Sequence, residues 1–544
     1  MPDVPVQRST SPAPPPDNEL VIGLVGAVGI DLRKISTSLS VVLNEFDYRV
    51  HEIHLSEAMN RLSWDEELVE APVDEHISSY MSAGDKLCSR DCWDRKDAFG
   101  LLAVHGIALK RQEISGDIDV PLDREAYILR SLKRPQEVRL LRQVYGSRFI
   151  LIAAFSPATR RQAYLENLIK ESRTKPHPST PEYTATDLMR RDEKEHLDWG
   201  QNVLGTFHLA DIFIDASDLD AKSDVVDMEG ATRRDLKHRA ELKRSFEILF
   251  GHPNRTPSRD EFGIFQAAAA MRRSAELGRQ VGAAICTKDG DVVAVGANEV
   301  PKAGGGLYWE GDKGDRREFR LQRDTSDQRK RKIAQQVVQR LAKADLLIDG
   351  ADEESVLQEI ARTDIDNLIE YIRAVHAEMA AITDSARRGI AVDGSTIYVT
   401  TFPCHHCARH IVAAGITRAV YVAPYAKSMA EELHADSIVV ASEPDERDPR
   451  VRFEPFVGIG PRRYLELFEA PSRKDQVTGE VHKFEPRTAQ PRLSDLDPID
   501  LRRDDLHYIR RERLAQELLR NIIDERDPKL VVDPPPEPLE SAGG

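Results

Sequence analysis

The feature that most constrains this sequence is a split constellation, His376-Ala377-Glu378 followed at a distance by Pro403-Cys404-His405-His406-Cys407. Thiolates and imidazole are the ligands zinc prefers, and a catalytic zinc takes three protein ligands and keeps one position for water. Cys404 and Cys407, three apart at the start of a predicted helix over 404–414, can face one ion. The positive end of that helix favours their thiolate forms. His376 would open the preceding helix, predicted to run to 387, and approach the same ion from the side. Glu378, two residues on, is too close to be an independent ligand and is placed to exchange protons with a water. The fold must therefore bring two helix N-termini together at one edge of a sheet. A lone Cys-x-x-Cys would equally suit a structural zinc knuckle with His406 or His410 as fourth ligand. The His-x-Glu unit, the proline and the helix–strand spacer favour the catalytic arrangement, and His405, His406 and His410 read as packing or surface residues.

The elements around this constellation alternate. An Ala-rich helix over 260–277 precedes strands at 281–286 and 292–297, joined by Lys288-Asp289-Gly290, a strong hairpin signal. A highly charged helical insertion is predicted at 307–365, then strands at 396–402 and 419–423. Helices alternating with strands predict a sheet sandwiched by helices. Upstream, apolar runs at 20–25, 48–55, 149–155 and 210–216 alternate with helices at 31–44 and 158–171, the pattern of a parallel α/β sheet. Between the first strand and helix lie Gly23, Gly26 and Gly29, the context of a loop whose amides cradle phosphate. The formula G-x-x-x-x-G-K-[ST] is not met: Leu24 stands where the first glycine belongs, and Ile30-Asp31 replace Lys-Ser. This region resembles a P-loop nucleotide-kinase-like fold with a degenerate loop. The resemblance implies a nucleoside triphosphate at Gly23, Gly26 and Gly29, used for sensing, or a pure scaffold, with Arg160 and Arg161 as the analogue of a lid.

Length and charge set outer bounds. A chain of 544 residues predicts two or three domains. A net charge of −16 disfavours stable nucleic-acid binding, and the basic stretch at 316–332 is interleaved with acids. Five cysteines do not make a disulfide framework, and Cys88, Cys92, His51 and His54 read as structural. No apolar run reaches the roughly 18–20 residues a bilayer requires, and the Pro-rich start lacks a signal core, so a cytoplasmic protein is expected. The predicted organisation is a disordered tail (1–18), a kinase-like domain (19–256), a metal-binding domain (257–470), a charged helical extension (471–528) and a second disordered tail (529–544).

Two further segments complete the pattern: Arg279-Gln280-Val281-Gly282-Ala283 entering one strand, and Gly296-Ala297-Asn298-Glu299-Val300-Pro301 leaving the next. Together with the His376 and Cys404 motifs they make the chain from about 258 to 467 resemble the cytidine/deoxycytidylate deaminase superfamily, in its deoxycytidylate branch. The pattern H-x-E…P-C-x-x-C is the general signature of zinc deaminases. The resemblance implies a cytidine-deaminase-like α/β/α sandwich and one Zn2+ held by His376, Cys404 and Cys407. It also implies Glu378 as catalytic acid/base, Asn298 near the substrate sugar, and hydrolysis of deoxycytidine nucleotides to uracil forms and ammonia. Gly304, Gly305 and Gly306 read either as backbone approaching the nucleotide or as a flexible loop. The whole arrangement resembles bacterial anti-phage deaminases that convert dCTP, and also dCMP, and so deplete dCTP. The alternatives are a housekeeping dCMP deaminase of thymidylate synthesis with a regulatory domain, a polynucleotide deaminase needing a basic groove and stacking aromatics, and a nucleotide-sensing adaptor with structural zinc. An RNA or protein regulator and a homo-oligomer stay open.

Overall fold

The computed structural model describes residues 18–59, 68–89, 92–193, 199–217, 233–348, 350, 352–361, 363, 365, 368–424, 428–440, 447–469, 472–493 and 508–526. Most of the two tails expected to be disordered lies outside these residues; Asn18 is inside, and its amide donates to Asp123. The chain divides into two units, one formed by 1–256 with 458–544 and the other by 257–457. The strands of the first part are β1 (Leu20–Gly26), β2 (Arg49–His54), β3 (Glu125–Arg130), β4 (Phe149–Phe155) and β5 (Ile212–Asp215). Those that follow are β6 (Gly282–Cys286), β7 (Val292–Ala297), β8 (Thr396–Thr401), β9 (Arg418–Ala423), β10 (Ile438–Val440), β11 (Val451–Pro455) and β12 (Gly458–Ile459).

The first unit carries a six-stranded sheet in the order β12-β5-β4-β1-β3-β2, parallel except for β12. Every residue of β1 and β4 is buried, which is why both read as unbroken apolar runs. The sequence reading passes over β3, because its ends are charged. Glu125 is nevertheless fully buried, paired with Arg49 and His51 of the neighbouring β2. The chain leaves β1 for β2, returns to β3 beside β1, and continues on the other side through β4. The carboxyl end of β1 therefore lies at a topological switch point, where open α/β sheets form a crevice.

The domain ends expected at 470 and 471 fall elsewhere. From Gly458 the chain rejoins the first unit, where β12 pairs antiparallel with β5. The extension is also less helical than expected. Lys474 bridges to Val481, a short 3-10 turn spans Pro486–Thr488, and Phe484 packs on Phe46 and His252. Apolar packing onto the first core fixes this segment, so helical periodicity is not required of it. The last described element is the helix Tyr508–Arg526, docked on the helix Ala98–Ser115. Arg111, with no exposed surface, joins them by forking to Glu19 (2.8 Å) and Glu512 (2.7 Å), which are also buried.

The second unit is a sheet in the order β10-β11-β9-β8-β6-β7, with β6 antiparallel to both neighbours and β8, β9, β11 and β10 parallel. Two glycines set its layers. A Cβ at Gly282 would collide with the Ala267 carbonyl in the helix Arg259–Met271, and one at Gly296 with the Ala377 carbonyl in the helix Ala377–Arg388. Gly282 pairs with Ala297, and Ala283 with Gly296, so the two glycines point to opposite faces. One helix thus lies on each face, giving three layers. The Ala-rich helix stops at Met271, short of the predicted 277, and the following turn carries the chain into β6. The charged insertion folds as the helices Glu318–Leu321, Thr325–Lys343 and Glu353–Ala361, with Ala334, Val338 and Leu357 forming a small core between the last two. Among the described residues no helix is long and apolar enough to cross a membrane.

Two ion networks yield predictions. Removing Arg111 would leave Glu19 and Glu512 facing each other without a counter-charge. Arg111→Ala is therefore expected to destabilise the first unit by about 3–5 kcal/mol in denaturant titrations. In the second unit, Asp260 accepts both guanidinium nitrogens of Arg418 at 2.7 Å and the Tyr398 hydroxyl at 2.9 Å. Burial pushes its pKa up, but the hydrogen bonds and charge of Arg418 outweigh that and hold it below the ordinary value of 3.8. A depressed carboxylate contributes stability above its unfolded pKa and loses it as pH falls through the folded one. Asp260→Asn should cost about 1–3 kcal/mol at neutral pH, and unfolding curves should show the difference shrinking as pH drops below the carboxylate range.

Candidate metal centre and active site

Both halves of the split motif sit at helix starts. β8 ends at Thr401, and after Phe402 and Pro403 the residue Cys404 caps the helix His405–Ala413. The proline has no amide hydrogen and holds the chain extended at this strand-to-helix turn. His376 caps the helix Ala377–Arg388, with extended backbone (φ −64°, ψ 154°), so its ring turns away from its own helix. The His376 Nδ1 lies 3.3 Å from Cys404 Sγ and 3.4 Å from Cys407 Sγ. Those three ligand atoms lie within 4.8 Å of one another, close enough for one ion.

Without an ion the three groups share protons among themselves, and a bound metal would displace those protons. Cys404 is held far below the ordinary thiol range by a hydrogen bond from Cys407, against burial, and by the hydrogen bond and charge of His376. Cys407 is pushed up by that shared hydrogen bond and by burial. Burial lowers the His376 pKa, but the hydrogen bond and charge of Cys404, with Glu378 behind, raise it to about 9. A thiolate beside an imidazole is a ready zinc ligand pair. Glu378 is buried within hydrogen-bond reach of Cys407; burial first, then the Cys404 charge, raises its pKa. Among the described residues the ligand group numbers three, and His405, His406 and His410 do not join it. His406 meets Arg409 and lies 3.9 Å from Glu370. The residues present therefore fit one zinc with a fourth position left to a small molecule.

A cavity of about 330 Å³ opens onto this group, lined by His376, Cys404, Glu378 and Asn298 among others. Asn298 is largely occupied: its Oδ1 accepts from the Val281 amide and its Nδ2 donates to the Arg279 carbonyl, both at 2.7 Å. It pins the entry of β6 while keeping one lone pair and one N–H. The neighbouring Glu299 is almost fully buried; it accepts from the Ala275 and Val300 amides and lies 3.5 Å from Arg317 of the insertion. Gly304, Gly305 and Gly306 all have positive φ, and Lys302 donates to the Gly306 carbonyl, which closes them into a tight turn. The sequence reading misses the cavity wall contributed by Glu276 and by Glu318, Asp324, Ser326 and Lys330 of the insertion. Charge there looks like a solvated helical face, because nothing in the pattern tells which side is walled in.

In the first unit, Gly23 lies inside β1, where a Cβ would meet Leu132 and Phe149, and Gly26 ends the strand. Gly29 has φ +90° and no room for a Cβ beside Arg161. The intervening Val28 amide donates to Asp192 (2.7 Å), and Lys133 Nζ binds the same carboxylate (2.7 Å) and the Gly26 carbonyl. Arg161 is buried against Glu193 and the Val28 carbonyl, while Arg160 donates to the Ser217 carbonyl.

Comparison with known proteins agrees with this geometry. Residues 257–423 match the family described as the cytidine and deoxycytidylate deaminase zinc-binding region. Within the second unit these residues are thus similar to the zinc-binding region of cytidine and deoxycytidylate deaminases. More particularly, 54 residues are 44% identical to the deoxycytidylate deaminase of Enterobacteria phage T2, covering 10% of this chain and 29% of that protein. A 65-residue stretch is 40% identical to ComE operon protein 2 of Bacillus subtilis (strain 168), covering 11% and 34%. The chain spans about a third of the length of these curated relatives. A dCMP deaminase structure from the cyanophage S-TIM5, in complex with dCMP and dUMP, aligns over 37% of this chain and all of that one, at 17% identity and a TM-score of 0.21.

Metal analysis of the purified chain is expected to find one zinc per chain. Cys407→Ala should lose it, because two protein ligands fall short of the three that a catalytic zinc takes.

Proposed function

We propose that this protein is a zinc-dependent hydrolytic deaminase of deoxycytidine nucleotides. The observation that carries the reading is the three-ligand group with Glu378 buried beside it, both facing one cavity. Zinc held by His376, Cys404 and Cys407 would supply Lewis-acid activation of water. Glu378 would take one proton of the attacking water and pass it to the ring nitrogen, then carry the second, from the new C4 hydroxyl, to the departing amino group. One water is consumed, the exocyclic C–N bond is exchanged for C=O, and ammonia leaves. Asn298 offers its remaining donor and acceptor to the sugar.

The first unit is read as a P-loop kinase-like domain. Support comes from the parallel sheet with β1 at its switch point and from the glycine turn between β1 and the helix Leu32–Glu45. The groups that would take a phosphate, the Val28 amide and Lys133, are bound to the protein's own Asp192. That favours a sensing or scaffold role over phosphoryl transfer. The pairing of such a domain with a deoxycytidylate-type deaminase supports a defence role in which dCTP is drained during phage infection. A housekeeping deaminase would act on dCMP alone.

Glu378→Gln is expected to keep zinc and lose at least ~10²-fold in uracil formation. Parallel assays with dCTP and dCMP separate the two roles: turnover confined to dCMP would refute the defence reading, and a zinc-loaded protein inert on every cytosine nucleotide would refute deamination.

A further inference from the structure

The cavity above the metal ligands has a wall of carboxylates that the hydrolytic reaction does not use. Glu276, from the turn before β6, meets Glu318 and Asp324 of the insertion, with one carboxylate oxygen of each within 4.8 Å of the others. All three line the same cavity as His376 and Glu378. Glu318 accepts from the Thr325 amide and Asp324 from the Asp327 amide, so the backbone fixes two of the three in place. Arg373 lies 3.9 Å from Glu318, and Lys330 and Arg279 line the cavity as well. A second, independent feature stands among them. Ser326 is 93% buried, lines the cavity, and its hydroxyl has no hydrogen-bond partner. A buried hydroxyl costs free energy unless something binds it. Three acidic oxygens and a hydroxyl form an all-oxygen donor set, which suits a hard divalent cation and differs in kind from the sulfur and nitrogen set nearby.

We propose that Glu276, Glu318, Asp324 and Ser326 form a second metal site for Mg2+ or a similar hard cation, which binds the phosphates of the incoming nucleotide. The inference rests on the deaminase reading for its substrate. A nucleoside triphosphate carries several negative charges, and although Lys330 and Arg279 line the cavity, the three clustered carboxylates would repel phosphates placed against them. Magnesium characteristically holds one or two carboxylates together with substrate phosphates, so the wall becomes attractive once the cation is present. The site thus selects the metal complex of a triphosphate over a monophosphate.

The test uses full-length protein with its zinc content measured, and Mn2+ as a paramagnetic probe without nucleotide. Electron paramagnetic resonance should show one saturable Mn2+ per chain that Mg2+ displaces. Glu276→Gln and Asp324→Asn, the second of which keeps a side-chain carbonyl for the helix cap, should each weaken it by about 10- to 100-fold. Their zinc content and thermal unfolding serve as checks on folding. Turnover of dCTP should rise with added Mg2+ while that of dCMP does not. Absence of a saturable Mn2+ site in the native chain, or unchanged affinity in both variants, would overturn the proposal and leave deamination standing. Intact Mn2+ binding in a protein that makes no uracil product would leave the cation site standing and remove the deaminase reading instead.

Discussion

The second unit depends on how closely a helix can approach a strand. At Gly296 the carbonyl of Ala377 occupies the space a side chain would need, so the helix that begins at His376 rests directly on the backbone of β7. Gly282 does the same for the helix on the other face. These contacts fix the height and angle at which His376 enters the site, and with it Glu378 two residues on. The sulfur donors arrive independently from β8 through the turn at Pro403. An imidazole and two sulfurs meet at 3.3 and 3.4 Å because two separate helix starts are anchored to one sheet.

This explains why the grouping of His376, Cys404 and Cys407 was legible in the sequence. Ligand chemistry is local: His-x-Glu and Pro-Cys-x-x-Cys each lie on one turn of chain, and the glycines that seat the helices stand in readable motifs. What was not legible depends on partners far away. β3 hides behind Glu125, whose burial makes sense only once Arg49 and His51 lie alongside. Asn298 lines the cavity, but the hold of its amide on Val281 and Arg279 has no signature in the sequence. Glu318 and Asp324 belong to a stretch that reads as a wet helical surface, and only folding shows that it closes a cavity.

Charge is used in two ways in this chain. In the first unit, buried carboxylates are matched by forked guanidinium groups, as around Arg111, or by a lysine and an amide, as at Asp192. Those groups are satisfied internally and stiffen the fold. The second unit repeats that pattern at Asp260 and Arg418, but it also gathers three carboxylates along a cavity, where the buried Ser326 hydroxyl has no hydrogen-bond partner. Internal satisfaction marks framework, whereas like charges collected beside an unpartnered buried hydroxyl carry a free-energy cost that a bound ligand would relieve.

The return of the chain at Gly458 has a consequence for biosynthesis. Because β12 and the helix Tyr508–Arg526 belong to the first unit, that unit cannot be finished as it leaves the ribosome. Its edge strand and the Glu512 partner of Arg111 emerge only after the whole inserted unit has been translated. Until then Arg111 has just one of its two buried counter-charges. A chain truncated after Val457 therefore holds every residue of the second unit while the first still lacks β12 and its last helix.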